Sequence, residues 1–170
     1  MQTSDNYKCK IATLDEIIKK YDYEIAQATK NKDNWATWKE KTIEQAKKGL
    51  VITYIGVLNN EIISECYAAL DPSIVQNHEN LVDDKTAYLY AFRTNKKYQG
   101  QGYFSRLFKF ALNDLRTRGY KKVTLGVEPN EEKNKAIYTK YGFKEYIKTA
   151  KMKYPNGDTI DVEYYGKPLD

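Results

Sequence analysis

Histidine and cysteine are almost missing from this chain of 170 residues: there is one histidine, His78, and two cysteines, Cys9 and Cys66. A His-based metal centre needs several imidazoles, and a four-ligand zinc site needs paired Cys or His spacings. Neither pattern is present, so no metal is expected. Two distant cysteines are also too few for a disulfide framework, and they read as reduced core thiols. Long apolar runs are absent as well. No stretch approaches the roughly 18 residues needed to span a membrane. The opening "MQTSDNYKCK" has no apolar core of a secretory signal. These absences give the expectation of a cytoplasmic protein with no membrane partner. No internal repeat or low-complexity segment interrupts the chain.

What is present fits a globular protein. Hydrophobic residues make up 41% and charged residues 30%, enough of both for a packed core and a solvated surface. The length fits one domain, taken here as residues 1–170. The net charge is +5. A mild basic excess admits nucleic acid, but it equally suits an anionic small molecule. The basic residues form no single block. Lysine pairs recur at 19–20, 47–48, 96–97 and 121–122, mostly beside element ends, where they read as solvated surface. Lys96 and Lys97 stand apart because two glycines follow them. Nucleic acid rests on charge alone and is not the expected partner; it would require a steep salt dependence of duplex binding.

The pattern along the chain alternates between the two secondary-structure periods. "KCKIAT" (8–13) reads as an opening strand. Thr13 and Glu16 form a capping box ahead of "LDEIIKKYDYEIAQATK", whose Leu14, Ile17, Ile18 and Tyr21 have helical spacing. A second helix begins at Asp33 or Asn34 and is closed by Gly49. "LVITYIGVL" and "EIISECYAAL" are strands, and Asn59-Asn60 between them favours a tight hairpin. Residues 71–85 read as a loop and 87–94 as a strand. The next helix, 102–118, carries Phe104, Leu107, Phe108, Ala111 and Leu115 on one face. A strand at 121–127, a short helix at 131–141 stopped by Gly142, and two strands around "PNGD" (155–158) complete the chain. An antiparallel meander thus leads into a strand–helix–strand crossover, which demands parallel neighbours. The expected fold is α/β, an α+β mixed sheet with helices on both faces.

Two segments can carry chemistry. Gly100 and Gly102 lie between a strand and a helix. Glycine accepts positive φ and close approach. The first-turn N–H groups of a helix lack intrahelical partners and sit at its positive end. That combination suits a phosphate, with Lys96, Lys97 and Gln99 as further donors at its edge. A bare turn is the competing reading. It is not a P-loop, because Tyr103-Phe104 follows Gly102, nor a dinucleotide fingerprint, because residue 105 is Ser. Downstream, "NKAIYTKYGF" places Asn134 and Tyr138 on one helix face. Tyr138 is either a half-buried aromatic or a proton donor to a leaving thiolate.

Together these segments resemble the GNAT acyl-CoA N-acyltransferase superfamily. Its central motif, Arg/Gln-x-x-Gly-x-Gly/Ala, is similar to "QGQGYF" (Gln99, Gly100, Gln101, Gly102, Tyr103, Phe104), with Phe104 standing where Gly or Ala is usual. Its next motif, Tyr-x-x-x-Gly-Phe, matches "YTKYGF" at Tyr138, Gly142 and Phe143. The family's Asn seven residues before that tyrosine is Glu131 here, and Asn134 is a substitute for it. The motifs fall within residues 87–143, while the element order matches over nearly the whole chain.

The resemblance implies direct transfer of an acetyl group from acetyl-CoA to a primary amine in a ternary complex, with no metal. The pyrophosphate would sit on N–H groups from Gln99 to Ser105. The pantetheine arm would pair with Phe92, Arg93 and Thr94. Asn134 would also contact CoA, and Tyr138 would protonate the thiolate. For the general base, Glu65, mid-strand and expected to face the cleft, comes first; Glu128 and an ordered water follow. A catalytically inactive CoA-binding module is the alternative. The acceptor is expected to be a small-molecule or peptide amine, lined by residues 14–48 and the loop 71–86. Glu79, Asp83 and Asp84 could attract a cation, or be solvated. Trp35 and Trp38 could pack the core, or one could face substrate. The chain is expected to be a monomer or homodimer.

Overall fold

The structure, a computed structural model, describes residues 6–30 and 32–170. The first residues, read above for a missing targeting core, lie outside them. Among the described residues the order is β1 (Tyr7–Ile11), α1 (Leu14–Gln27), α2 (Lys32–Lys47), β2 (Val51–Leu58), β3 (Glu61–Ala69), β4 (Thr86–Thr94), α3 (Tyr103–Thr117), β5 (Lys122–Val127), α4 (Glu132–Lys140), β6 (Glu145–Lys153) and β7 (Thr159–Pro168). The expected capping box is present. The Glu16 N–H donates to the Thr13 hydroxyl at 3.2 Å, and the Thr13 N–H donates to the Glu16 carboxylate at 2.9 Å. Such a cap contributes about 1 kcal/mol. The β2–β3 hairpin turns on Asn59 and Asn60 with φ of 48° and 70°, the left-handed pair that matches strand twist.

The seven strands form one sheet in the order β1-β2-β3-β4-β5-β7-β6. Only β4 and β5 are parallel neighbours, and α3 makes the crossover between them. The last strand does not simply extend the meander. β7 inserts between β5 and β6, because α4 carries the chain past that position and the hairpin folds back into the gap.

Helices cover both faces. On one, the α3 stripe of Leu107, Phe108, Ala111 and Leu115 is fully buried against Tyr54, Cys66, Ala68, Leu89, Val123 and Leu125. Each such Leu or Phe contributes roughly 1.5–3 kcal/mol on burial. On the other face, Ile17 and Tyr21 of α1 and Trp35 of α2 pack on Val51 and Tyr67. The loop after β3 covers Val162 and Tyr164 of β7 through Val75, Leu81 and Val82. Covered on both faces, β2 and β3 are buried along nearly their full length. The lysine pairs are not all solvated: Lys20 is 2% exposed, and its ammonium donates to Glu24 and Asn95. Among the described residues no helix is long and apolar enough to cross a membrane.

Candidate functional site

A notch opens in the middle of the sheet. β4 and β5 pair from Thr86 opposite Lys122 to Leu89 opposite Leu125. Beyond that pair β4 continues to Thr94 along β3 and leaves β5 behind. The cause is local. Ala91 has φ 57°, and the β3–β4 register slips there, with Tyr67 opposite Tyr90 but Glu65 opposite Arg93. An L-residue in this region costs roughly 1–2 kcal/mol, and a bulge bends its strand. The polar groups of β4 past Leu89 on the β5 side therefore have no ladder partner on β5. Phe92, Arg93 and Thr94 form this edge.

At the far end of β4 lies the glycine loop. Gly100 and Gly102 have φ of 76° and 86°, and no atom lies within 4 Å of where a Cβ would stand on either. The loop is therefore open above a helix start, with Gly102 as the N-cap of α3 and the N–H groups of Tyr103, Phe104 and Ser105 in the first turn. Those amides can hold an anion. The glutamine side chains do a different job from the donors expected at Gln99: Gln99 donates to the Thr94 carbonyl and Gln101 to the Lys97 carbonyl, both at 3.0 Å. They brace the loop. Lys96 and Lys97 are exposed at its edge. Phe104 departs from the small residue of the motif without obstructing the amides. Its ring turns inward, edge-on to Phe92 and stacked on Phe108, both with centroids 5.7 Å apart. β1 steadies the same turn, since the Tyr7 hydroxyl donates to the Tyr103 carbonyl at 3.0 Å.

Phe92 also touches Tyr138 of α4, with ring centroids 5.4 Å apart. Burial pushes the Tyr138 hydroxyl well above its ordinary value, so it is a phenol at neutral pH. Asn134, one turn earlier, donates to the Glu131 carboxylate at 2.9 Å.

On the α1–α2 side the notch opens into a cleft of about 780 Å³, within the usual range for a small-molecule site. Its wall is strongly aromatic, with Tyr21, Trp38, Tyr88, Tyr90, Tyr154 and Tyr164. Arg93, Glu128 and Glu131 line it too. Glu128 is raised above the ordinary carboxylate value, first by burial and then by the hydrogen bond and like charge of Glu131. A carboxylate so placed is a better base near neutral pH than an isolated one.

Glu65 is not where the sequence reading put it. It is 1% exposed, does not line the cleft, and sits behind Arg93, which donates to it at 3.0 Å. Lys20 lies 3.8 Å away. Burial raises the Glu65 carboxyl, while Arg93 and Lys20 pull it down. Strand alternation points its side chain at the α1 layer, so it acts as a buried counter-ion. The acidic loop residues are displaced as well. Glu79, Asp83 and Asp84 do not line the cleft, and the Asp83 carboxylate accepts the Lys85 N–H at 2.9 Å in its own turn. Only Ile74, Val75 and Gln76 of that loop reach the cleft. The tryptophans divide: Trp35 stacks beneath the Arg93 guanidinium at 4.6 Å, and Trp38 lines the cleft.

Three features escaped the sequence reading. Nothing in "YLYAFRT" marks Ala91 as left-handed. In the sequence Glu131 stands only as a departure from the family's asparagine, although Pro129-Asn130 signals a turn that returns it towards Glu128. The tyrosines of β4 and β7 carry no mark of a shared site in the sequence, and only the fold gathers them.

The sequence model of the family described as acetyltransferase (GNAT) matches residues 12–143. No curated protein matches the sequence. Among solved structures, the ribosomal-protein-S18-alanine N-acetyltransferase of Escherichia coli superposes with a TM-score of 0.70 at 18% identity, over 96% of this chain and 94% of that one. An acetyl transferase of Salmonella typhimurium that modifies the N-terminal serine of ribosomal protein L7/L12 gives 0.70 at 16%, over 99% and 97%. A probable acetyltransferase of Staphylococcus epidermidis gives 0.74 at 10%, over 96% and 99%. At these identities the likeness is one of fold.

Proposed function

This chain belongs to the acetyltransferase (GNAT) family, and on that premise we propose that residues 1–170 form one N-acetyltransferase domain that moves an acetyl group from acetyl-CoA to a primary amine. The observation that carries the proposal is the notch between β4 and β5. Its outer end meets the open glycine loop, and its inner end meets a cleft with a carboxylate pair.

The N–H groups of the loop and first turn, from Gln99 to Ser105, are suited to the pyrophosphate, and Lys96 and Lys97 add positive charge at its rim. The edge of Phe92, Arg93 and Thr94 that β5 leaves unpaired offers backbone groups to the amide-bearing arm. When bound, acetyl-CoA supplies an activated thioester and a good leaving group. Glu128, held by Glu131, accepts a proton from the incoming ammonium and frees the amine for attack. Backbone N–H groups at the bulge polarise the carbonyl, and fixed orientation in the cleft contributes much of the rate. The C–S bond breaks as the N–C bond forms; the Tyr138 hydroxyl donates its proton to the sulfur, and the proton lost by the acylated nitrogen returns to the Tyr138 oxygen. Asn134 acts on Glu131, which gives it a positioning role in place of a CoA contact. Glu65 holds Arg93 and takes no part in proton transfer.

The experiment is thiol release from acetyl-CoA with a panel of amines. Turnover with any amine supports transfer. CoA binding with no turnover across the panel would favour an inactive CoA-binding module.

A further inference from the structure

The charges of the cleft are segregated by element. Its acidic groups, Glu128 and Glu131, stand together where β5 leads into α4. Its basic groups lie on other elements: Lys41 on α2, Arg93 on β4 and Lys153 at the end of β6. Lys41 lies on the α2 stripe formed by Trp38, Lys41, Thr42 and Gln45, all of which line the cleft at helical spacing. Arg93 projects from β4 towards the same helix layer. The hydrogen bond between the Tyr21 and Thr42 hydroxyls at 2.8 Å joins α1 to α2 beside them. Arg93 spends one N–H group on Glu65 and rests on Trp35. A guanidinium has five such groups, and the others have no acceptor among the described residues. Lys41 forms no ion pair among the described residues either. Between the two charged sides lie aromatic rings: Tyr88 stacked on Tyr90 at 5.8 Å, and Trp38 edge-on to Tyr154 at 5.5 Å.

An amine alone would need the acidic side and the rings. It would leave Lys41 and the spare donors of Arg93 without a partner. A polyamine or aminosugar would fare worse, because its further cations would meet basic groups. We propose that the acceptor is a zwitterion, an amino acid or short unblocked peptide with an apolar or aromatic side chain. Its amine lies at Glu128 and Glu131, its side chain lies among the tyrosines, and its free carboxylate is bound by Lys41 and Arg93. The place of the amine rests on the transfer reading above, whereas capture of the carboxylate does not.

The test uses the full chain with CoA or acetyl-CoA, and four probes: phenylalanylglycine, its C-terminal amide, phenethylamine and spermidine. Binding is followed by the fluorescence of Trp35 and Trp38, the only two tryptophans in the sequence, and turnover by thiol release. The free acid is expected to bind about tenfold more tightly than its amide, as for a charge-assisted hydrogen bond. Lys41 is exposed, so K41A should fold, and it should bring the acid-to-amide ratio towards one. K41E should invert it. Equal binding of acid and amide by the unmodified protein, or tightest binding of spermidine, would overturn the proposal. Acid preference without turnover would uphold it and count against transfer. Turnover of amines without acid preference would do the reverse.

Discussion

In the proposed reaction Tyr138 and Glu128 divide the proton transfers between them, because their surroundings push two ordinary groups in useful directions. Burial beside Phe92 keeps the Tyr138 hydroxyl protonated far above neutral pH. Tyr138→Phe should lower kcat by about 100-fold, the low end for a general acid, with CoA affinity unchanged in a direct titration; undiminished turnover removes the assignment. Glu128 must be deprotonated to act. Its value is raised by burial and by Glu131, so activity falls as pH drops through that raised value. Glu131→Gln removes the like charge and lowers the Glu128 value. The acidic limb of kcat/KM should then move to lower pH, measured with one acceptor throughout. A limb that stays put, or moves up, rules out Glu128 as the base. Tyr138 was legible in the sequence through "YTKYGF". The Glu128–Glu131 pair was not, because two carboxylates three residues apart meet only if the intervening turn closes.

The glycine turn works as an element because α3 starts where the loop ends. Its amides converge only with Gly102 at φ 86°, a conformation that costs other residues about 1–2 kcal/mol. Gly102→Asp would add that strain and a negative charge facing the proposed phosphate site. The expected outcome is at least about a tenfold loss of CoA affinity, read by calorimetry; unaltered affinity would show that the cradle lies elsewhere. The motif and the helix stripe made this element legible in advance. The inward turn of Phe104 was not legible, since it depends on Phe92 and Phe108 supplied by other parts of the chain. The bulge at Ala91 is equally non-local: β4 must follow β3 on one side while β5 ends on the other.

At the scale of the whole molecule, the buried network of Lys20, Glu24, Glu65, Arg93 and Asn95 joins α1 to the sheet. Glu65→Gln leaves Arg93 without its buried counter-charge, whereas Lys20 keeps Glu24 at 2.6 Å. The loss should be about 3 kcal/mol, a fall in Tm of roughly 6–12 °C for a chain of this size. The acidic limb of kcat/KM should keep its position. A stable variant with a displaced limb would instead return Glu65 to the role of base. The sequence by itself determined the element order, the parallel crossover, the capping box, the Asn-Asn hairpin and the two motifs. Each of these depends on spacing within a short segment, where backbone propensity and hydrophobic period are sufficient. The tertiary structure decided the rest. The mid-strand carboxylate faces α1 instead of the cleft. The acidic loop packs beneath β7. Tyrosines from β4 and β7 and a tryptophan from α2 meet around one cavity. These outcomes depend on which sheet face each strand residue finds and which helix covers that face, and such choices are settled only when distant segments pack together.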